Sequence, residues 1–355
     1  KAPSHLFPFI YPEDGSLDDI IGQNDCKPGY LYVKNRNTGE ITQMLIHSTV
    51  TAFVETYDYL YCANSLGQFY RMDYAGKEKK VLYTAPSGKI FNLILEFSRL
   101  YMLEENRILQ WHMYDGTIKV VVQGDSYASM HLLSDQMMIF ETTDGKQYSM
   151  RVGNVSKETK YDPNDCTLIA TQDQMDALIK NAQYYKLIQS NFWYQRAFGC
   201  AFEKPEDISA ELYFYIGLED KDDQYALTFT DEEKAYLMER SLRGGYSNFK
   251  KLPIAKMNEA LSVLNITVED LKIPDNFIYY DKTDSYYVEH TDAYIPERPF
   301  VTAVVENADG TVQVYWEAEW IHWDRGNVIQ EAKMVTTMQK LNDGTYRILS
   351  NVPVQ

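Results

Sequence analysis

The segment Leu60–Gly76, LYCANSLGQFYRMDYAG, is repeated within the first half of the chain. Forty residues further on, Leu100–Gly116 reads LYMLEENRILQWHMYDG, with the opening Leu-Tyr and the closing Gly in register. Looser copies are Met138–Gly153 and Leu31–Gly39, and the four closing glycines are spaced 37, 40 and 37 residues apart. Self-similarity at this period, with strand-like content, is typical of stacked β-units such as propeller blades.

Each copy is predicted to form an antiparallel meander, because short β-branched and aromatic runs alternate with Gly, Asn and Asp turns. The predicted first strands are Thr51–Thr56, Phe91–Glu96 and Met130–Leu133, and the predicted fourth strands are Lys79–Tyr83, Ile118–Val122 and Glu158–Tyr161. The sequence thus predicts about four blades, and a β-sandwich with accidental periodicity is the alternative.

The string Tyr61-x-x-Asn64-x-x-Gly67-x-Phe69-Tyr70-Arg71-Met72-Asp73-x-x-Gly76 resembles bacterial propeller-like repeats that are similar to lipoprotein-receptor propellers. Such repeats occur in cell-surface lipoproteins of gut Firmicutes (clostridia), where their role is unknown. The resemblance covers residues 28–160 and implies a propeller-like fold. Receptor propellers close with more blades than four, so the ring here is open, imperfect or completed by residues 1–27.

The segment Asp162-Pro163-Asn164-Asp165 marks the predicted domain boundary, because the hydrophobic period changes there from strand-like to helical. Residues 1–27 are interpreted as an irregular lead-in, 28–162 as the repeat domain and 163–355 as an α+β domain. Helices are predicted in four segments of this second domain, which are 171–198, 205–216, 230–245 and 253–264.

Three hairpins follow the helices, and two of them turn at Asp-Gly, the strongest short hairpin signal. Their strands are Phe277–Asp281 with Ser285–His290, Thr302–Glu306 with Thr311–Trp320, and Ala332–Leu341 with Thr345–Leu349. This order predicts an antiparallel sheet with helices packed on one face. Strings such as Ser190–Gln195 and Asp343–Ser350 also resemble clostridial surface lipoproteins, and the layout is similar to secreted inhibitors of cell-wall DL-endopeptidases.

A net charge of −17 opposes binding to nucleic-acid phosphates and to anionic lipid head groups. No apolar run reaches the roughly 18 residues that a membrane span needs. Because the chain opens with Lys1, we expect that a secretory or lipoprotein signal has been removed, and an arbitrary boundary of the cloned segment is the alternative. Disulfides Cys26–Cys62 and Cys166–Cys200 and buried thiols are both compatible with the cysteine spacing.

No catalytic signature stands out in the sequence. GxSxG, HExxH, a Walker loop and GxGxxG after a strand are all absent. The six histidines lack metal-ligand spacing, although His290 with Asp292 and His322 with Asp324 would share a face on extended chain. Glu219–Asp223 lacks the alternating ligands of a calcium loop. We therefore expect no cofactor and no metal, and we leave enzymatic activity open.

The alternation of side chains between the two faces of a strand predicts the binding surface. If Asp281 and Ser285 close the first hairpin, Tyr279 pairs with Tyr287 and Phe277 with Glu289. One face of the hairpin then belongs to the core, and the other is aromatic and acidic. Strand Thr311–Trp320 is sorted in the same way, with Val312, Val314, Trp316 and Trp320 inward. The predicted outward binding residues are Phe277, Tyr279, Tyr287, Glu289, Tyr315, Glu317 and Glu319.

Tyrosine is the compositional outlier, with 29 residues, and its ring with a polar tip suits sheet cores, interfaces and sugar-binding surfaces. The function favoured by the sequence is a non-catalytic extracellular protein, anchored to the outer face of a Gram-positive cell, that recognises a glycan or peptide. An interaction or inhibitory module acting on a cell-envelope enzyme is one alternative, and a hydrolase with dispersed site residues is another. The oligomeric state stays open.

Overall fold

The computed structural model describes residues 6–10, 26–44, 49–96, 99–124, 126–134, 137–152, 166–215, 229–241, 249–289, 300–321 and 328–354. Contacts within the chain divide it into two units. The first unit contains residues 1–153 and 160–172, and the second contains residues 154–159 and 173–355.

Antiparallel meanders build the first unit, as the repeats predict. The first sheet contains β1 (Leu6–Ile10), β2 (Leu31–Asn35) and β3 (Ile41–Gln43). The second contains β4 (Val50–Glu55), β5 (Leu60–Asn64), β6 (Gln68–Met72) and β7 (Lys80–Thr84). The third contains β8 (Asn92–Glu96), β9 (Arg99–Leu103), β10 (Arg107–His112) and β11 (Ile118–Gln123). The fourth contains β12 (Tyr127–Ser134), β13 (Met137–Thr142), β14 (Gln147–Arg151) and β15 (Thr167–Ile169).

Strand β5 shows why the repeats contain nearly continuous apolar runs. Leu60 and Cys62 pack in one cluster with Leu31 of the first sheet, whereas Tyr61 and Ala63 pack in another with Leu100 of the third sheet. Successive side chains of a strand point to opposite faces, so a sheet between two neighbours needs apolar residues at every position. The repeat therefore encodes sheets that are buried on both faces.

Two details of the first unit differ from the prediction. The predicted irregular lead-in supplies the strand β1, which pairs with β2 in the first sheet. The predicted fourth strand Glu158–Tyr161 lies outside the described residues, and β15 is the strand that pairs with β14. The first unit thus continues beyond the predicted boundary at residue 162.

The second unit combines helices with two antiparallel sheets. Its helices are α1 (Gln172–Ser190), α2 (Phe192–Phe198), α3 (Ala210–Tyr215), α4 (Asp231–Met238) and α5 (Ile254–Leu261). The small sheet has the order β16 (Phe249–Pro253), β18 (Ser285–Glu289), β17 (Phe277–Tyr280). The large sheet contains β19 (Phe300–Glu306), β20 (Thr311–Ile321), β21 (Val328–Lys340) and β22 (Tyr346–Pro353).

Local chemistry divides the long predicted helices. Asn191 has extended backbone and its side chain accepts hydrogen bonds from the backbone N–H groups of Trp193 and Tyr194, so it ends α1 and caps α2. Extended Ile208 separates a 3-10 turn at Pro205–Asp207 from α3. The predicted helix 230–245 is present as α4, and residues 242–248 lie outside the described part. Strand β16 was not predicted.

The predicted single sheet of three hairpins is divided in two. The first hairpin pairs with β16 in the small sheet, and the other two form the large sheet. The α+β class is confirmed, since buried helical residues such as Tyr184 and Phe198 share one core with Val314 and Trp316 of the large sheet. Helices therefore cover the inner face of this sheet.

Candidate functional site

The hairpin of β17 and β18 has a register one residue away from the predicted one. Tyr280 pairs with Ser285 and Tyr279 with Tyr286, because a 3-10 turn at Asp281–Thr283 and left-handed Asp284 make a four-residue loop. A slip of one residue exchanges the faces of one strand relative to the other. The predicted pairs Tyr279 with Tyr287 and Phe277 with Glu289 are therefore wrong.

Both faces of this hairpin are packed against other residues. Phe277 is 5% exposed and belongs to the main core, whereas Tyr287 is 0% exposed and packs with Phe229 and Leu237 on the opposite face. The prediction that Phe277 and Tyr287 lie on an open surface is wrong. Helix α4 and the preceding Phe229 supply the cover for Tyr287, which strand parity does not reveal. The side chain of Glu289 lies outside the described ones.

Tyr287 belongs to a buried polar cluster around Glu233, which we call the Glu233 cluster. Glu233 is 2% exposed, and its Oε1 accepts hydrogen bonds from Lys251 Nζ at 2.6 Å and from the Tyr287 hydroxyl. Its Oε2 accepts the backbone N–H of Thr230 at 2.6 Å, which completes a capping box at the start of α4. The sequence pattern Thr230-x-x-Glu233 is a signal for the cap. It gives no sign of the contact with Tyr287.

Hydrogen bonding determines the charge state of this cluster. Burial alone would raise the pKa of Glu233, but the hydrogen bonds from Lys251, Tyr287 and Thr230 outweigh it and lower that pKa to about 2. Burial, together with the hydrogen bond to Glu233, raises the pKa of Tyr287 above its ordinary value. Glu233 is thus ionised and Tyr287 neutral at neutral pH, which suits a structural ion pair.

One exposed tyrosine, Tyr279, remains near the tip of the hairpin beside the half-buried Tyr286. Tyr279 is 43% exposed, and its ring centroid lies 5.3 Å from that of half-buried Tyr286. The Tyr279 hydroxyl donates to Asp284 Oδ1 at 3.1 Å, and the Asp281 and Asp284 side chains are exposed. The hydrogen bond to Asp284 is the main cause that raises the pKa of Tyr279. We call Tyr279, Tyr286, Asp281 and Asp284 the hairpin surface.

Strand β20 follows the predicted parity. Val312, Val314 and Trp316 are buried, whereas Tyr315 and Glu317 lie half-buried on the opposite side of the sheet. The side chains of Glu319 and Trp320 lie outside the described ones. The seven predicted binding residues belong to two different sheets, and two of them, Phe277 and Tyr287, are buried in different clusters.

Within the described part of the chain, the cysteines and the acidic groups form no further candidate site. None of the four cysteines forms a disulfide, and Cys62 and Cys200 are buried thiols whose pKa burial raises to about 12. Among the described residues, no three His, Cys, Asp or Glu side chains are grouped so that they could hold a metal ion. His290, His322 and Glu219–Asp223 lie outside those residues. None of the described helices has the length and apolar character of a membrane span.

Comparison with solved structures finds propeller-like folds. The C-terminal WD40 domain of Sif2 is 12% identical, with a TM-score of 0.30 over 35% of this chain and 38% of that chain. YCF48 from Cyanidioschyzon merolae is 10% identical, with a TM-score of 0.32 over 40% of this chain and 53% of that chain. A nidogen/laminin complex is 12% identical, with a TM-score of 0.31 over 34% and 52%.

This chain spans about half or less of the length of these three structures. No protein-family model and no curated protein matches the sequence.

Proposed function

We propose that the protein is a non-catalytic binding protein that recognises a glycan or a peptide through the hairpin surface. The observation that carries the proposal is the exposed ring of Tyr279, held by Tyr286 and by a hydrogen bond to Asp284. A fixed, exposed ring can stack on a flat ligand face, and neighbouring carboxylates can accept hydrogen bonds from ligand hydroxyl or amide groups. The four blade-like sheets provide a separate scaffold in this proposal.

Rigidity supports this role for the tip. The Tyr236 hydroxyl on α4 donates to the backbone carbonyl of Tyr279 at 2.8 Å, and Lys282 pairs with Glu232 of the same helix. These contacts fasten the loop to α4, so that little conformational entropy is lost when a ligand orders the ring. Because the ring is already held in place, a ligand can bind without first inducing a rearrangement of the loop.

The test combines a glycan array and a peptide array with variants of the same full chain. Tyr279→Ala is expected to weaken binding up to about tenfold, because a stacked ring contributes about 0.5–1.5 kcal/mol beyond its burial. Tyr279→Phe keeps the ring and should retain most of the affinity. Tyr114→Ala is the matched control, since Tyr114 is an 86% exposed ring in the first unit. Unchanged binding of a folded Tyr279→Ala protein would refute the proposal.

We also propose that the protein acts on the outer face of a Gram-positive cell, attached as a lipoprotein. The support is the resemblance of the repeats and of segments such as Asp343–Ser350 to clostridial surface proteins. The full reading frame tests it, because a signal with a lipid-attachment cysteine upstream of Lys1 is expected. A reading frame that starts directly before Lys1 would contradict this localisation.

A further inference from the structure

Helix α4 is attached to the described part of the second unit through few buried side chains. Of its eight residues, Glu233 and Leu237 are buried, and the two lie four positions apart on one face of the helix. Leu237 belongs to a small hydrophobic cluster, which we call the α4 cluster. Its buried members are Phe229, Leu237, Phe249, Tyr280 and Tyr287. Because an isolated helix of this length is unstable in water, α4 depends on these contacts.

The small sheet beneath α4 is anchored from its other side. Leu252 of β16, Phe277 of β17 and Val288 of β18 are buried in the main core. The same core contains Val314 of the large sheet. Every strand of the small sheet thus has an anchor that does not involve α4. Removal of the helix would leave these anchors in place.

Glu233 joins α4 to two strands of the small sheet. Its carboxylate accepts hydrogen bonds from Lys251 of β16 and from Tyr287 of β18, and the residue is 2% exposed. A buried carboxylate that loses its partners is strongly destabilising. We therefore expect α4 to leave the sheet as a whole, because a partial displacement would leave Glu233 buried without its donors.

From this arrangement we infer that α4 is a cover that opens as one unit, with Glu233 as its latch, while the small sheet and the main core stay folded. Opening exposes the aromatic face of the small sheet, which is formed by Phe249, Tyr280 and Tyr287. Regions with few buried apolar contacts open at a smaller free energy than the whole structure does. The α4 cluster is much smaller than the main core, so it is the part that opens first.

The cover also fastens the proposed ligand site. The Tyr236 hydroxyl of α4 donates to the backbone carbonyl of Tyr279, and Glu232 of α4 pairs with Lys282 in the hairpin loop. Opening releases both contacts, so the ring of Tyr279 loses its fixed position. The closed cover is thus the binding-competent state of the hairpin surface. This consequence rests on the proposed function, whereas the opening itself does not.

Acid favours the open state. The groups that face the Glu233 carboxylate are the Lys251 ammonium, the Tyr287 hydroxyl and the backbone N–H of Thr230. All three keep their protons in acid, so Glu233 is the group that titrates. Its pKa is about 2 in the closed state and is expected to return to 4.5 in the open state. The latch is therefore complete above about pH 4.5, and the opening constant rises as the pH falls, by up to roughly 300-fold near pH 2.

Native-state hydrogen exchange of the full chain, followed by mass spectrometry, tests the inference. The amides of α4 are compared with those of β20 and β21, which belong to the main core. After correction for intrinsic exchange rates, the α4 amides should exchange at least about tenfold faster. Low concentrations of urea should accelerate exchange in β20 and β21 but hardly in α4, because opening of the cover exposes little surface.

Substitutions distinguish opening of the cover from unfolding of the unit. Val314→Ala weakens the main core, which stays folded when α4 opens, so it should lower the protection of β20 and β21 at least about tenfold and leave α4 unchanged. Glu233→Gln should lower the protection of α4 at least about tenfold at pH 7 and abolish its acid dependence. Tyr287→Phe, which keeps the ring, should lower it less. Glu232→Gln is the matched control, since the ion pair of Glu232 with Lys282 is exposed, and should change little.

Two results would overturn the inference. If α4 lost protection together with β20 in Val314→Ala, the helix would open only by unfolding of the whole unit. If α4 kept its wild-type protection in both Glu233→Gln and Tyr287→Phe, Glu233 would not be the latch. Neither result bears on ligand binding by Tyr279, which the arrays test separately, so a failure of the cover and a failure of the proposed function are distinguishable.

Discussion

Asn351 is the residue that joins helix, loop and sheet in the core of the second unit. It is 0% exposed, and its side-chain amide donates hydrogen bonds to the carbonyl oxygens of Phe198 at 3.0 Å and Cys200 at 2.8 Å. Its Oδ1 accepts the Thr336 hydroxyl at 2.8 Å, and Thr336 in turn accepts the indole N–H of Trp316. Buried backbone carbonyls at the end of α2 are thereby satisfied by one side chain.

Asn351→Ala should lower the free energy of unfolding of the second unit by about 2–4 kcal/mol, because it leaves several buried polar groups without partners. Urea unfolding followed by tryptophan fluorescence measures the loss, since Trp193 and Trp316 both belong to this core. Asn342→Ala, at an exposed turn position, is the control and should change little. Equal effects of the two substitutions would contradict this account.

The Glu233 cluster predicts a dependence of stability on pH. The pKa of Glu233 falls from an ordinary value of 4.5 to about 2 on folding, so its contribution is complete above about pH 4.5 and is lost as the pH falls towards 2. The shift corresponds to roughly 3 kcal/mol. Glu233→Gln should remove this acid-dependent component and destabilise the second unit at pH 7.

The free energy of unfolding of the wild type and of Glu233→Gln is measured by urea unfolding at pH 7 and at about pH 3. Glu232→Gln is the control on the same helix, because the Glu232 side chain is 63% exposed and its ion pair with Lys282 is weakened by solvent. That variant should keep the wild-type acid dependence. An unaltered pH dependence in Glu233→Gln would show that other carboxylates are responsible.

At the scale of elements, the β5–β6 turn of the second sheet depends on the close approach of Gly67 to Gly88. Gly67 has φ of +70°, and a Cβ there would lie 2.5 Å from the carbonyl carbon of Gly88. Gly88 has φ of +72°, yet a Cβ on it would meet nothing within 4 Å. The turn between β5 and β6 therefore rests against the connection that follows β7. Only glycine fits at position 67 without moving backbone.

Gly67→Ala should destabilise the first unit by about 3 kcal/mol or more, since it combines left-handed strain with a backbone clash. Gly88→Ala adds the left-handed strain alone and should cost about 1–2 kcal/mol. Thermal unfolding followed by circular dichroism measures both. If the two alanine variants melted at the same temperature, close packing at Gly67 would not be the reason for its presence.

The whole molecule is organised as two units with separate cores. Gly67 packs against Gly88 of the first unit, whereas Asn351 is hydrogen-bonded to Ala197, Phe198 and Cys200 of the second. Free-energy changes at independent sites add. The double variant Gly67→Ala, Asn351→Ala should therefore show the sum of the single losses in calorimetry, within about 0.5 kcal/mol. A clear deviation from the sum would reveal coupling between the units.

The sequence alone determined the antiparallel meanders and the α+β character of the second unit. The repeats can be recognised in the sequence because each meander depends on local signals. Examples are the closing glycines Gly76 and Gly116, which have φ of +72° and +70°. The outward position of Tyr315 was equally predictable, because side chains alternate along any strand. Local chemistry and periodicity suffice for features of this kind.

Tertiary structure alone decided which faces are covered. The loop Asp281–Asp284 folds as a 3-10 turn with a left-handed residue, and this fixes a register that the sequence does not show. Tyr287 is buried beneath α4, and its hydroxyl donates a hydrogen bond to Glu233 of that helix, which lies 54 residues earlier in the chain. Parity sorts side chains into two faces, but only long-range packing determines which face meets solvent.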